Sequence, residues 1–340
     1  MQVAVYYGKD DIRLEEMPVP ATGAGEVLVR VRASGICGSD VMHWYRAGRG
    51  PLVLGHEIAG EVAAVGEGVG QYKEGDRVTA SHHVPCNACH YCLNGHHTVC
   101  DTLRRTNFDP GGFAEYIRLP AINVERGVYL LPEALSYEEA TFVEPLACVY
   151  RAQRIAGVKM GQSLLILGSG ISGLLHVRLA RALGVALVAV SDINHYRLQA
   201  AVRSGADATF FADDDLPRAF MDANKGRPAD IVVLTTGAEK AIQQAFRAVD
   251  RGGTVLVFAP SLPGTVVTLP FNELFWRNEI TVTSSYAANY GEHVAALELI
   301  RQQRVNVQDL ITHRLPLRDI GKGFRLVEEA RESLKVVIEP

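Results

Sequence analysis

Leu164-Leu165-Ile166-Leu167-Gly168-Ser169-Gly170-Ile171-Ser172-Gly173 is a short apolar run that opens directly onto G-x-G-x-x-G. A continuous apolar run of this length, bounded by glycine, is the pattern of a strand buried on both faces of a parallel sheet. The glycines that follow allow a tight turn, let the backbone approach a pyrophosphate, and let helix pack closely on strand. The helix N-terminus then offers unpaired N–H groups and a partial positive charge to phosphate oxygens. Gly168, Ser169, Gly170, Ile171, Ser172 and Gly173 are therefore the expected dinucleotide contacts. A lone G-x-G-x-x-G is weak, but here the strand–turn–helix context is right. Asp192 also ends the next strand, 24 residues after Gly168, where an acid accepts the hydroxyls of an adenosine ribose. An acid at that place repels a 2′-phosphate, so NAD is expected over NADP. Arg197, five residues on, is a further candidate cofactor contact that would soften this preference, with a solvated helix position as its plainer reading.

Downstream the strand and helix patterns alternate. Helices are expected near 174–183, 196–204 and 238–249, and strands near 186–190, 208–211, 231–234, 254–258 and 280–284. This rhythm predicts an α/β fold with a doubly wound parallel sheet, the Rossmann dinucleotide-binding architecture. Upstream the texture is β-rich, with short runs such as Val27-Leu28-Val29-Arg30-Val31-Arg32 bounded by Gly and Pro. Ser136 and Glu139 form a capping-box pair that starts a helical stretch expected over 137–156. Beyond residue 286 a helix at 292–301 and a closing strand at 336–339 are too little to fold alone. The expected division is 1–147 with 287–340 as a β-rich domain and 148–286 as the dinucleotide-binding domain.

The chain has 340 residues, 48% apolar and 21% charged, with a formal charge of −4. That balance argues against nucleic acid as a partner. No apolar run approaches membrane-spanning length, and the start is not a signal peptide, so a cytoplasmic enzyme is expected. Four of the six cysteines fall in C-x2-C-x2-C-x7-C at Cys86, Cys89, Cys92 and Cys100. Four thiolates so spaced can wrap a tetrahedral Zn2+, with no open position, in a lobe over about 84–104. An iron–sulfur cluster fits the spacing less well. The nearby His82, His83, His90, His96 and His97 read as surface imidazoles, and Arg104 and Arg105 are the only close cations.

Three further segments carry ligand-type side chains: Gly35-Ile36-Cys37-Gly38-Ser39-Asp40, Gly55-His56-Glu57, and Phe142-Val143-Glu144-Pro145-Leu146. Sulfur, imidazole and carboxylate all suit zinc. Taken singly, each has an ordinary structural reading, and spacing alone does not join them.

Together with Gly75-Asp76-Arg77-Val78 and residues 111–116 (G-G-F-A-E-Y), these motifs run the length of the chain. In combination they resemble the zinc-dependent medium-chain alcohol dehydrogenases, within them the polyol, sorbitol dehydrogenase-like branch. The resemblance implies a GroES-like β-rich catalytic domain and two Zn2+ per chain. The catalytic ion would rest on Cys37, His56 and Glu144, with Glu57 as a supporting or exchangeable ligand. Ser39 would stand beside the substrate hydroxyl. Relatives continue C-G-S-D-V-H, whereas here Met42 takes that place and the imidazole arrives at His43, so a relay role for His43 rests on a shifted position. The implied reaction is hydride transfer between a secondary alcohol, a polyol or sugar alcohol, and NAD+. L-threonine 3-dehydrogenase-like, butanediol, and cyclitol or sugar-acid dehydrogenases are the alternatives. Arg46 and Arg49 are candidate anion contacts with a plainer reading as solvated loop charges. The resemblance also implies a homo-oligomer, dimer or tetramer, with 280–284 as a pairing edge.

Overall fold

The computed structural model describes residues 1–212 and 215–340. It divides into two compact units, Met1–Ala147 with Ala287–Pro340, and Cys148–Tyr286.

In the second unit, six parallel strands lie in the order Ala208–Phe211, Leu187–Asp192, Ser163–Leu167, Ala229–Leu234, Val249–Val257, Thr281–Ser284. This is the doubly wound order, with chain direction reversing on either side of the first strand. Leu164 to Leu167 are at most 2% exposed, because helices cover both faces of a parallel sheet. Gly168 leaves the strand's end at the topological switch point, its N–H held by Ser191 O at 2.8 Å. Open sheets bind ligands at such a point.

In the first unit, Val27–Gly35 is the organising strand. It pairs antiparallel with Glu57–Val65, Tyr116–Leu119 and the C-terminal Lys335–Glu339. The same sheet continues through Arg77–Ala80 to Val128–Leu130 on one side and through Ile311–Pro316 on the other. A smaller sheet joins Asp11–Glu16, Gln2–Gly8 and Leu52–Val53. One apolar core runs beneath both, from Val3 and Val5 through Phe113 and Ile117 to Phe324 and Ile338.

Two expectations need correction. The helix expected over 137–156 is two helices, Tyr137–Ala140 and Val143–Ile155. Pro145 lacks an N–H and its ring would clash with the Thr141 carbonyl in a continuous helix, so the chain restarts with Pro145 in a first turn, where proline is tolerated. The capping box is present, with Ser136 Oγ accepting the Glu139 N–H at 3.1 Å and Glu139 Oε2 accepting that of Ser136 at 3.1 Å. The tail beyond 286 also holds more than one helix and one strand: Ile311–Pro316, Ile320–Glu329 and Lys335–Glu339 form a parallel strand–helix–strand unit. Gly321 and Gly323 obscure the helical pattern, glycine being a poor helix former. Packing requires Gly323, since a Cβ there would lie 2.7 Å from Ile36 Cδ1. Leu216–Ala223 adds a further helix between strands to the three expected. Among the described residues, no helix is long and apolar enough to cross a membrane.

Candidate functional site

The glycine-rich turn separates internal necessity from ligand space. Gly168 has φ +102°, and a Cβ there would lie 2.7 Å from Thr235 Oγ1. A Cβ on Gly173 would collide with the Gly168 carbonyl oxygen. These two glycines are required by the chain's own packing. At Gly170 the nearest atom to an added Cβ is Arg197 Nη1, at 3.8 Å, so nothing in the protein demands glycine there. The space suits a ligand group pressed on the backbone. Helix Ile171–Ala182 begins at Gly170 with no side-chain cap, which leaves its first N–H groups available to an anion. Ile171 and Ser172 are half-buried in that first turn. Asp192, 8% exposed, stands beside the turn. Its Oδ2 accepts Ser169 N at 2.6 Å and Ser169 Oγ at 2.9 Å, and its Oδ1 accepts Asn194 N at 2.9 Å. The residues therefore fit a dinucleotide diphosphate with an acid at the ribose position.

The four sulfurs of Cys86, Cys89, Cys92 and Cys100 lie within 4.8 Å of one another. Cys89–Cys92 and Cys86–Cys100 are each 3.6 Å apart, close to the roughly 3.8 Å edge of a tetrahedron with Zn–S near 2.3 Å. Backbone N–H groups point at the sulfurs, Cys86 N to Cys100 Sγ at 3.4 Å and Cys89 N to Cys86 Sγ at 3.2 Å. Burial opposes ionisation of Cys100, but N–H groups of Cys86, Leu103 and Thr102 outweigh it and bring the thiol down to about 6. Burial and its sulfur neighbours push Cys92 up to about 12. The lobe's own core is only Cys92, Cys100 and Leu103, so little else would hold it together.

The second cluster is assembled by strand register. Gly35 pairs with Glu57 and with Val337, which brings the Cys37 turn, the His56 turn and the C-terminal strand together. Gly55, at φ +93°, precedes His56, and a Cβ there would lie 2.7 Å from Phe113 N. Ligand atoms of Cys37, His56 and Glu57 fall within 4.8 Å of one another. Asp40 is fully buried; its Oδ2 accepts Cys37 N at 3.0 Å, and its Oδ1 lies 3.6 Å from His56 Nδ1. Glu57 forms a buried ion pair with Lys335, each 1% exposed, and Lys335 Nζ also lies over the Phe142 ring. Glu144, on the first turn of Val143–Ile155, is half-buried and near enough to act on His56, though outside the mutually close set. Burial disfavours the His56 cation, yet Asp40, Cys37 and Glu144 together raise its pKa well above the ordinary value. An anionic pocket with sulfur, nitrogen and oxygen donors is a fitting place for Zn2+.

Several side chains stand apart from their expected roles. His43 Nε2 is 3.1 Å from Glu328 Oε1 and its Nδ1 is 3.5 Å from Tyr6 OH. Both ring nitrogens thus face that pair. Ser39 is half-buried in the turn after Cys37, and its carbonyl accepts Arg46 Nε at 3.2 Å. Arg46 is no solvated loop charge: it is largely buried and reaches Asp40 Oδ1 at 3.3 Å. His82 and His83 are not surface imidazoles of the cysteine lobe; His82 lies 4.7 Å, ring to ring, from His56 and 3.8 Å from His83. Burial lowers the pKa of His82 well below the usual value and that of His83 to about 4, so neutral rings line the cluster. Asp40 and Lys335 went unassigned from sequence. Lys335 had a signal, a single cation in the apolar run from Leu334 to Ile338; Asp40 had none beyond its place in the turn.

Two family models match the chain, "Alcohol dehydrogenase GroES-like domain" over residues 23–132 and "Zinc-binding dehydrogenase" over 172–302. A sorbitol dehydrogenase of Bacillus subtilis is 33% identical over 100% of this chain and 97% of its own length. An L-threonine 3-dehydrogenase of Pyrococcus furiosus is 34% identical over 98% and 94%. Among solved structures, a Sinorhizobium meliloti protein assigned as a zinc-binding dehydrogenase, bound to NADP, superposes with TM-score 0.89 at 28% identity, covering 100% of this chain and 99% of that one.

Proposed function

The chain belongs to the zinc-dependent medium-chain alcohol dehydrogenase family, on its polyol side, and from that premise we propose that it oxidises a sugar alcohol or similar secondary alcohol to a ketone with NAD+. The single observation that carries this reading is the convergence of Cys37, His56 and Glu57 on one point within reach of Glu144. Cys37, His56 and Glu144 would hold a catalytic Zn2+, with Glu57 exchanging between that ion and Lys335. Cys86, Cys89, Cys92 and Cys100 would hold a second, structural ion. When bound, the catalytic ion supplies Lewis acidity toward a substrate oxygen, and NAD supplies the hydride acceptor.

This chain's own residues do the rest. Asp40 faces His56 Nδ1, which fixes the ring so that Nε2 is the nitrogen left for a metal. The Ser39 hydroxyl, half-buried in the turn after Cys37, would accept the proton of the substrate alcohol while passing its own to water. His43 is not assigned a relay role, since both its nitrogens face Glu328 and Tyr6. Neutral His82 and His83 exclude water while leaving polar edges for a polyhydroxylated substrate. The open backbone at Gly170, the helix start at Ile171 and Ser172, and Asp192 hold the dinucleotide, with Gly168, Ser169 and Gly173 shaping the turn beneath it.

A neutral polyol is favoured over an amino acid because both cations beside the turn are committed, Arg46 to Asp40 and the Ser39 carbonyl, and Lys335 to Glu57 and the Ile36 carbonyl. A pairing of two copies through the edge strand Thr281–Ser284 is part of the same reading. Val282 on that strand is 46% exposed, and Phe271 and Trp276, in and just after the preceding helix Phe271–Phe275, are 74% and 69% exposed, apolar surface of the kind a partner covers. The test is a panel of sugar alcohols, sugar acids, cyclitols, butanediol and threonine, followed by NADH absorbance. Turnover should appear with one or more sugar alcohols and be abolished in Glu144→Ala, with metal content falling from two ions per chain to one. Turnover confined to threonine would overturn the substrate class, and unchanged turnover in Glu144→Ala the ligand assignment.

A further inference from the structure

Ser169 occupies a variable position of G-x-G-x-x-G, yet it is fully buried and cannot itself meet a cofactor. Its hydroxyl instead donates to Asp192 Oδ2 at 2.9 Å, on the same oxygen that receives its N–H at 2.6 Å. Asn194 N holds the other oxygen at 2.9 Å. The carboxylate is thus tied to the turn on one side and to the following helix cap on the other. Directly across lies Arg197, whose Nη1 reaches the space above Gly170 and whose Nε is buried without a partner. An acid and an arginine so placed make opposite demands on a ribose 2′ position: the carboxylate accepts from a hydroxyl, whereas the guanidinium pairs with a phosphate.

Resting on the assignment of this turn to NAD, we propose that Ser169 is the positioning residue that sets dinucleotide choice. Its hydroxyl latches Asp192 against the turn, so the acid cannot swing aside and surrender the 2′ position to Arg197. With the latch, the turn selects NAD. Without it, Asp192 keeps only backbone donors, and Arg197 becomes able to pair with the 2′-phosphate of NADP.

The experiment is fluorescence titration of the metal-loaded chain with NADH and NADPH, without alcohol, for wild type, Ser169→Ala, Asp192→Asn and the double variant. Wild type should prefer NADH. Ser169→Ala should narrow the preference roughly ten- to a hundredfold, the scale of one hydrogen bond to a charged group. Asp192→Asn should narrow it further, and the double variant should match Asp192→Asn alone, since the hydroxyl acts only through the acid. Ser169→Thr, which keeps the hydroxyl, should retain the preference; Ser169→Cys replaces Ser169→Ala if that variant does not fold. A preference unchanged within twofold in Ser169→Ala, or shifted equally in both backgrounds, overturns the latch while leaving the NAD reading intact. A wild type that prefers NADPH, or an Asp192→Asn variant with unaltered preference, overturns both.

Discussion

The cysteine lobe and the Cys37–His56–Glu57 cluster are both built from metal-ligand side chains, but they are put together in opposite ways. The lobe draws its four ligands from fifteen consecutive residues, closes on itself, and has almost no apolar core of its own. The second cluster draws on segments far apart in sequence, joined by the pairing of Gly35 with Glu57 and Val337. It is surrounded by buried charges: Asp40 facing Cys37 and His56, and Lys335 facing Glu57. A closed local site can only hold the chain together. A site whose ligands are fixed by the fold, and whose donor set is mixed, can leave a position for substrate. On the two-ion proposal, the metal would make the structure in the first, and the structure would make the metal site in the second.

That contrast can be broken at either end. His56→Ala should lower turnover by at least about 1000-fold while the thermal midpoint stays nearly constant, because the strands carry that cluster without the ion; a large fall in midpoint would erase the distinction. Cys100→Ser should do the reverse, costing on the order of 5 kcal/mol in denaturant unfolding through loss of the lobe's ion, and an unchanged midpoint would count against a structural role. Asp40→Asn probes the support around the open cluster: it keeps the shape but weakens the hold on His56, so metal affinity should fall roughly 10- to 100-fold in a competition assay against a chelator. Equal affinity would mean that Asp40 serves Arg46 and not the cluster.

Acid gives the smallest effect and sharpens the comparison by supplying a metal-free baseline. His176 is fully buried, and burial lowers its pKa to about 3, against about 6.5 in the unfolded chain. Below pH 6.5 the unfolded chain binds a proton that the folded one refuses, so stability present above that pH is lost as pH falls toward 3. At pH 5 the loss is roughly 2 kcal/mol. In chelator-treated protein, His176→Gln should flatten the change in urea midpoint between pH 7 and pH 5; an unaltered slope would place the acid sensitivity elsewhere.

The same contrast explains what could be read without coordinates. The dinucleotide-binding unit is local: an apolar strand, a glycine turn and a helix announce themselves at Leu164–Gly173, and alternation carries the rest of the sheet. The β-rich unit is not. The helix Ile320–Glu329 is masked by two poor helix formers, Gly321 and Gly323, of which Gly323 answers to packing on Ile36 rather than to helix propensity. The break after Ala140 was visible in Pro145 but outweighed by the small-residue pattern around it. In the site, ligand types were legible as residues, and only resemblance joined them. Asp40, Lys335, His82 and His83 owe their roles to register and ring stacking, which leave no periodic mark in sequence.

X-ray absorption at the zinc edge of the purified, metal-loaded chain tests the two-site account most directly. Two ions per chain, one bound by four sulfurs and one by a single sulfur with nitrogen and oxygen, give an average of about 2.5 sulfurs per zinc, rising to four in His56→Ala as the mixed site empties. A single ion per chain, or a sulfur count that His56→Ala leaves unchanged, would contradict it.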